Sequence, residues 1–369
     1  MNSKDGIKRG PFGSSLKKSF FVKKSDYVVY EQQNAIYDQF STRYFINEVK
    51  YNELEAFSLK PNDFILSGSG TIGCISLVPD NIKKGVINQA LIRIRINQNI
   101  TNKFFFLQWM RSSYMQRRLT QANPGSAITN LVPISEIKNW KVTVPNNKIQ
   151  KHIGKILTQL DTLLSLQQRK LELESLLYKH LKRNCFYNNY NFYYSKPKKL
   201  NIKMKDIITL EDNQRIPVSE NNRKKGITPY YGANGIQDYV DGYTHVGQYI
   251  LIAEDGASDI QNYPVIAVNG KVWINNHAHV LKVNKTVDFS YLLYFLKNFN
   301  YFPWLVGSGR FKLNAKTLLN IKISIDSNTE NQRKIGVLLN ECDSLTHATS
   351  TRIKLIKDIK QFLLQNLFI

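Results

Sequence analysis

The sequence predicts an α+β protein in which two pseudo-repeated mixed α/β domains are joined by two long antiparallel coiled-coil helices. Three observations carry that reading: an internal repeat, an apolar heptad stripe at the same place in each copy, and short strand-like runs ahead of each stripe. Gln150-Lys151-His152-Ile153-Gly154-Lys155-Ile156-Leu157 resembles Gln332-Arg333-Lys334-Ile335-Gly336-Val337-Leu338-Leu339 at an offset of 182. The same offset brings Leu160-Asp161 onto Cys342-Asp343 and Gly125-Ser126 onto Gly307-Ser308. At 181, Asn139-Trp140-Lys141-Val142-Thr143-Val144 meets Asn320-Ile321-Lys322-Ile323-Ser324-Ile325, and at 188 Gln89-Ala90-Leu91-Ile92 meets His277-Ala278-His279-Val280. Order is kept throughout, and loop insertions produce such drift.

The elements follow in chain order. The first domain, 1–145, carries strand-like runs at Phe64-Ile65-Leu66 and from Leu91 to Ile96, then a helical stretch from Asn102 to Leu119. The first long helix, 146–186, has no proline between Asn147 and Arg183, and Ile149, Ile153, Ile156, Leu160 and Leu163 step by four and three. A polar, aromatic linker occupies 187–199. The second domain, 200–326, has strand-like runs at Tyr249-Ile250-Leu251-Ile252 and from His279 to Val283, and a helical stretch from Asp288 to Asn298. In the second long helix, 327–369, Leu338, Leu345 and Ile359 keep heptad phase, as do Cys342, Thr349, Ile356 and Leu363. Each helix alone exposes an apolar seam, so antiparallel pairing is the simplest way to cover both. A helix of that length spans about 55–60 Å and separates the two domains as a rod would. The second domain opens on a leading strand, Leu200 to Ile208, whereas the first opens almost at once on Lys4-Asp5-Gly6-Ile7-Lys8. Its leading strand is therefore shortened, or its start lies upstream.

Composition narrows the partner. Lys and Arg number 51 against 28 Asp and Glu, a formal net charge of +23, and the pI is near 9.7. Such an excess suits a polyanion, because each phosphate neutralised releases condensed counterions. Cys74, Cys185 and Cys342 are far apart and read as free thiols of a reducing compartment. No apolar run reaches the roughly 20 residues of a bilayer span. The first residues lack the charged-then-apolar plan of a secretory signal. The expectation is a cytoplasmic protein with no membrane partner.

Catalytic signatures are missing from the sequence. It has no phosphate-cradling G-x-x-x-x-G-K-[ST]. Nor does it have the Asn-Pro-Pro-Tyr or Asp-Pro-Pro-Tyr tetrapeptide with which amino-methyltransferases grip an extruded adenine. Asp80 with Glu136 is a poor nuclease pair, since Glu136 falls on Thr317 in the repeat. His277 and His279 share one strand face, but a metal would need a third ligand, for which His245 is the nearby histidine. The expectation is no catalytic residue and no metal site.

Particular motifs carry a family resemblance. Pro229-Tyr230-Tyr231-Gly232-Ala233-Asn234-Gly235-Ile236, Tyr249-Ile250-Leu251-Ile252-Ala253-Glu254-Asp255-Gly256-Ala257 and Trp273-Ile274-Asn275-Asn276-His277-Ala278-His279-Val280-Leu281 are among them. They resemble a target recognition domain of type I restriction–modification specificity subunits. Gly10-Pro11-Phe12-Gly13-Ser14-Ser15-Leu16-Lys17-Lys18, Tyr30-Glu31-Gln32-Gln33-Asn34-Ala35-Ile36 and Leu66-Ser67-Gly68-Ser69-Gly70-Thr71-Ile72-Gly73 look like another class of that domain. The resemblance implies a clamp in which each target recognition domain reads half of a split, asymmetric double-stranded DNA target. It also implies that the helices dock two adenine methyltransferase subunits and that restriction and translocase subunits complete the enzyme. No cofactor is then expected on this chain; S-adenosylmethionine, ATP and Mg2+ belong to the partners. The alternatives are a methylation-only complex, a self-contained nuclease or methyltransferase, and a helical scaffold whose ends bind RNA or protein.

Asn, Gln, Arg and small hydroxyls distinguish base edges, while Lys and Arg to phosphate set register. By that rule the DNA-binding candidates of the first domain are Arg9, Lys17, Lys18, Gln32, Gln33, Asn34, Ser67, Ser69, Thr71, Ser126 and Asn130. Those of the second are Tyr230, Tyr231, Asn234, Lys271, His277, Ser308, Arg310 and Lys312.

Overall fold

The computed structural model describes residues 6–120, 131–186 and 198–368. Ser126, Asn130, Lys4-Asp5 and all but the last two residues of the expected linker lie outside the described residues. The chain divides into two compact units: Met1–Gln168 with Thr351–Ile369, and Arg169–Ser350.

In the first unit, β1 (Ile7–Arg9), β8 (Leu91–Ile94), β5 (Phe64–Ser67) and β6 (Ile75–Leu77) form an antiparallel sheet in that order. A second sheet runs β2 (Phe21–Val22), β4 (Tyr44–Ile46), β3 (Tyr27–Tyr30) and β7 (Gly85–Ile87), with β3 and β7 parallel. The unbroken apolar run in β5 is explained by two covered faces. Phe64 and Leu66 pack with Phe106 and Met110, while Ile65 packs with Val28, Tyr30 and Leu91. Helices α1 (Gln32–Tyr37) and α2 (Glu48–Glu53) sit in the connections. The helix expected from Asn102 to Leu119 is two helices, α3 (Lys103–Arg111) and α4 (Ser113–Thr120), followed by α5 (Ile134–Asn139). The break falls at Ser112, whose backbone is extended (φ −65°, ψ 151°). Its buried hydroxyl donates to the Trp109 carbonyl at 2.6 Å and lies 3.3 Å from the Met115 amide, capping the second helix.

In the second unit, one six-stranded sheet runs β10 (Ile208–Leu210), β15 (Ala278–Val283), β13 (His245–Ala253), β14 (Val265–Ile274), β11 (Lys225–Gly232) and β12 (Gly235–Val240). All neighbours are antiparallel except β11 with β14. A separate ladder joins β9 (Lys199–Lys203) to β16 (Lys322–Asp326). Helices α7 (Phe289–Lys297) and α8 (Ala315–Asn320) complete the domain.

The long helices are α6 (Asn147–Phe186) and α9 (Thr329–Asn366), and each contributes part of its length to both units. The repeated Gln-x-x-x-Gly acts as a latch. In the first unit, buried Gln150 accepts the Asn102 amide at 2.8 Å and donates to the carbonyls of Ile100 (3.1 Å) and Pro145 (2.8 Å). In the second, buried Gln332 accepts the Asp288 amide at 2.9 Å and donates to the Asp326 carbonyl at 2.6 Å. Asn102 and Asp288 are the N-caps of α3 and α7, so each glutamine grips the start of its domain's helix. One turn later the glycine lets the backbones close. A Cβ on Gly154 would lie 2.6 Å from the Phe105 nitrogen, and one on Gly336 2.8 Å from the Tyr291 nitrogen.

Two turns beyond the glycines, the equivalent aspartates meet the same helices again. Asp161 accepts from Gln108 at 2.6 Å, and Asp343 from Tyr294 at 3.2 Å and Lys297 at 3.3 Å. Within the first unit Asp161 also pairs with Lys360, while Leu157, a turn earlier in α6, packs with Leu363 and Leu364, further along α9, and with Phe368 just beyond its end. Those two helix segments are therefore antiparallel. Within the second unit, Tyr178, Leu181 and Cys185 of α6 pack with Ile335, Leu339 and Cys342 of α9 in the largest core cluster. The α+β class, the doubling and the paired helices are as the sequence predicts.

Candidate nucleic-acid interface

In the second unit a charged cluster forms where the loop after β13, the start of β15 and the segment Val306–Lys312 meet. Val306 and Lys312 bridge to each other, Lys312 bridges to Asp255, and the Leu313 amide bonds the Glu254 carbonyl at 2.7 Å. Gly307 turns the loop at φ +100°, where a Cβ would come within 2.7 Å of the Arg310 carbonyl oxygen. Below lies His279, fully buried, with Nδ1 2.6 Å from Asp212 and Nε2 2.7 Å from the Leu313 carbonyl. Both ring nitrogens thus face oxygen atoms.

Asp212, Glu254 and His279 bring their ligand-type atoms within 4.8 Å of one another. Their negative charge is already balanced by Arg215, 2.8 Å from Glu254 and 3.4 Å from Asp212, and by Lys312, 3.0 Å from Glu254. Burial alone would raise the Asp212 carboxyl, but the His279 hydrogen bond and neighbouring charges outweigh it and hold the group below its ordinary range. Glu254 is lowered in the same way: burial opposes, and Arg215 and Lys312 prevail.

At the surface of this cluster Asp255 takes the His277 Nδ1 at 2.5 Å and the Arg310 Nη2 at 3.1 Å. Burial again opposes, and these two partners hold Asp255 below the usual carboxylate range. Asn234, in the β11–β12 turn, donates to the Gly256 carbonyl at 2.9 Å and accepts the Ser258 amide at 2.8 Å. Asn234, His277, Ser308, Arg310 and Lys312 are therefore gathered around one loop system, with Ser308 and Arg310 exposed. Tyr230 is placed elsewhere: it is buried, its hydroxyl meets Val218, and its ring lies under Arg223. Tyr231 packs beside Tyr249 and Leu251, and Lys271 lies over the Tyr243 ring.

In the first unit the corresponding loop, Gly68 to Cys74, is held by side-chain amides and one guanidinium rather than by ion pairs. Gln32 donates to the carbonyls of Ser69 and of Thr71 (3.2 Å), and Gln116 to that of Gly73 at 3.0 Å. Arg9 donates to the carbonyls of Gln89 (3.1 Å) and Gly68 (3.3 Å). Arg9, Gln32, Ser69 and Thr71 are thus brought together. Asn34 and Ser67 are buried with their polar atoms engaged by the backbone: Asn34 with Glu31, Gln39 and Ser41, Ser67 with Cys74. Gln33 reaches Glu31 at 3.5 Å, and Lys17 and Lys18 are exposed. Sequence reasoning missed Asp255, Glu254, Asp212 and Arg215. The signal was Glu254-Asp255-Gly256 at the end of a strand, but its cationic partners lie tens of residues away.

A doubled α+β domain, each copy latched to a long helix and carrying a braced polar loop, is the class of protein that this geometry defines. The chain belongs to the family of the type I restriction modification DNA specificity domain, which matches twice, over residues 12–175 and 184–358. A Haemophilus influenzae protein named as a type I restriction enzyme specificity subunit is 40% identical over 145 residues, 39% of this chain and 37% of its own length. The Escherichia coli type I restriction enzyme EcoprrI specificity subunit is 26% identical over 141 residues, 37% of this chain and 34% of its own. The matches therefore span little more than a third of either relative. The crystal structure of a type I restriction-modification system S subunit from M. genitalium shares the fold with a TM-score of 0.68 at 17% identity, covering 98% of this chain and 93% of that one.

Proposed function

We propose that this chain is the sequence-specific DNA-binding subunit of a type I restriction–modification complex. It reads a bipartite, asymmetric duplex target and docks two adenine methyltransferase subunits together with nuclease/translocase subunits. It is not itself catalytic; S-adenosylmethionine, ATP and Mg2+ act on its cytoplasmic partners. The observation that carries this reading is the contrast between the two copies. Both fasten to their helix by the same Gln–Gly latch, yet one presents a loop held by Gln32 and Arg9 and the other a loop built on Asp255, His277 and Arg310. Unlike loops on like frames suit unlike half-sites.

The helices support the docking half of the reading. Leu166 in the first unit and Leu173, Leu176 and Leu177 in the second are more than half exposed on α6. Apolar side chains left open on long helices suit helical partners. Formal charge of +23 suits the phosphate backbone. Sequencing modified adenines in cells with and without the chain tests the proposal. A split adenine motif that vanishes with the chain is expected; methylation or cleavage by the purified chain alone, with cofactor or Mg2+, would overturn it.

A further inference from the structure

The loop system of the second unit holds a guanidinium whose direction is set by the protein's own side chains. Arg310 is 64% exposed, yet its Nη2 is tied to Asp255 at 3.1 Å, and the second oxygen of Asp255 is tied to His277 at 2.5 Å. Gly256, at φ +68°, lies beneath it: an added Cβ there would sit 3.6 Å from Nη2 and 3.8 Å from Nε, so the guanidinium passes over bare backbone. Asn234 pins that backbone through Gly256 and Ser258. The brace uses one of the five guanidinium N–H groups on Asp255, with Nη2 also 3.4 Å from the His277 Nδ1 that itself faces Asp255, and leaves a pair for an incoming ligand.

We propose that Arg310 reads a guanine in the half-site served by the second unit, with Asp255 and His277 acting as positioning residues behind it. The inference rests on the DNA-reading function proposed above and adds the base. In the major groove guanine offers O6 and N7, two acceptors side by side, which match the guanidinium fork; no other base offers that pair. A phosphate also accepts two such bonds and adds a full negative charge, so it competes for the same fork. The Asp255 carboxylate offsets the charge of Arg310 while fixing its direction, which weakens an anion contact and leaves a neutral base edge unaffected. Lys312 is offset in the same way by Glu254 at 3.0 Å. The pair thus favours geometry over bulk attraction.

The test uses the complete complex purified with its methyltransferase partner. Its methylated motif is mapped for the natural chain, for Arg310→Ala and for Asp255→Asn. The expected motif has a fixed guanine in one half-site that relaxes to any base in Arg310→Ala and relaxes in part in Asp255→Asn, with the other half-site unchanged. On oligonucleotides, 7-deazaguanine at that one position weakens binding by the natural complex roughly fivefold to a hundredfold and leaves Arg310→Ala indifferent. The inference is overturned if every fixed base survives Arg310→Ala, or if the relaxed base is not guanine. It is also overturned if the variant weakens all DNA alike and flattens the salt dependence by about one charge, the mark of a phosphate contact. Should Arg310→Ala fail to assemble, insensitivity of the natural complex to 7-deazaguanine at every guanine overturns it. A natural complex that yields no split adenine motif overturns the underlying function instead, and this inference with it.

Discussion

Replacing Gly154 with alanine separates a close-approach glycine from an ordinary helical one by the sign of its effect. In an exposed helix interior the change would stabilise by about 1 kcal/mol, because alanine is the better helix former. Here the new Cβ would fall 2.6 Å from the Phe105 nitrogen and 3.0 Å from the Phe104 carbonyl carbon. Those are backbone atoms of α3 and cannot swing aside as a side-chain tip could. Overpacking of this kind costs about 1–3 kcal/mol, and a 2.6 Å approach to backbone belongs in the upper half of that range, so the balance is a destabilisation of about 1–2 kcal/mol. The push also opens the Gln150 bond to Asn102 one turn away. Native-state hydrogen exchange of the α3 amides, with urea unfolding followed by Trp109 and Trp140 fluorescence, reads the change in this unit. A Gly154→Ala protein as stable as the natural one, or more so, refutes the latch as the reason for the glycine.

The same geometry sets three further outcomes. Gln332→Leu leaves the Asp288 amide and the Asp326 carbonyl without their partner, and at 1–3 kcal/mol for each buried group the loss is about 2–6 kcal/mol, seen as faster exchange across α7. Asp212, Glu254 and Asp255 all have carboxyls lowered in the folded state, so their stabilisation is present above the unfolded values of about 4 and is lost as pH falls through the folded ones. Trp273 and Trp304 fluorescence should report a second unit that loosens below about pH 4, and Asp212→Asn should shrink that acid-induced change. Leu173→Asp, at an exposed position on α6, should alter the melting of the chain by no more than about 0.5 kcal/mol yet reduce co-purification of methyltransferase subunits.

The long-period features were legible in the sequence because they are written in local spacing. The heptad steps gave α6 and α9, and the Gln-x-x-x-Gly repeat marked the latch before its partners were visible. Features set by chain segments far apart were not legible. The break at Ser112 lies inside a run that keeps its helical pattern, and only the buried hydroxyl that caps α4 reveals it. Asn34 has the chemistry of a base reader, but its side chain closes a capping box with Glu31 and faces inward. Asp255 is not among the expected readers, and the arginine it pairs with is 55 residues further on. Residue type led to loops whose polar groups the fold gathers, and was a poor guide to which side chains in them point outward.

The apportioning of the long helices between units bears on how the protein is made. Phe105 and Phe368 meet as tilted rings with centres 5.4 Å apart inside the first unit, though 263 residues separate them in the chain. Lys360, the partner of Asp161, also arrives late. The first unit is therefore synthesised early but completed last. At roughly 5–20 residues per second, the 183 residues from Gln168 to Thr351 take about 10–40 s to emerge, during which Leu157 and Phe105 lack their cover. A nascent chain in that interval presents an unfinished apolar face, a ready substrate for a chaperone. A premature stop near residue 350 would injure the first-made domain rather than the last, which makes the C-terminal turns of α9 a checkpoint for the whole product.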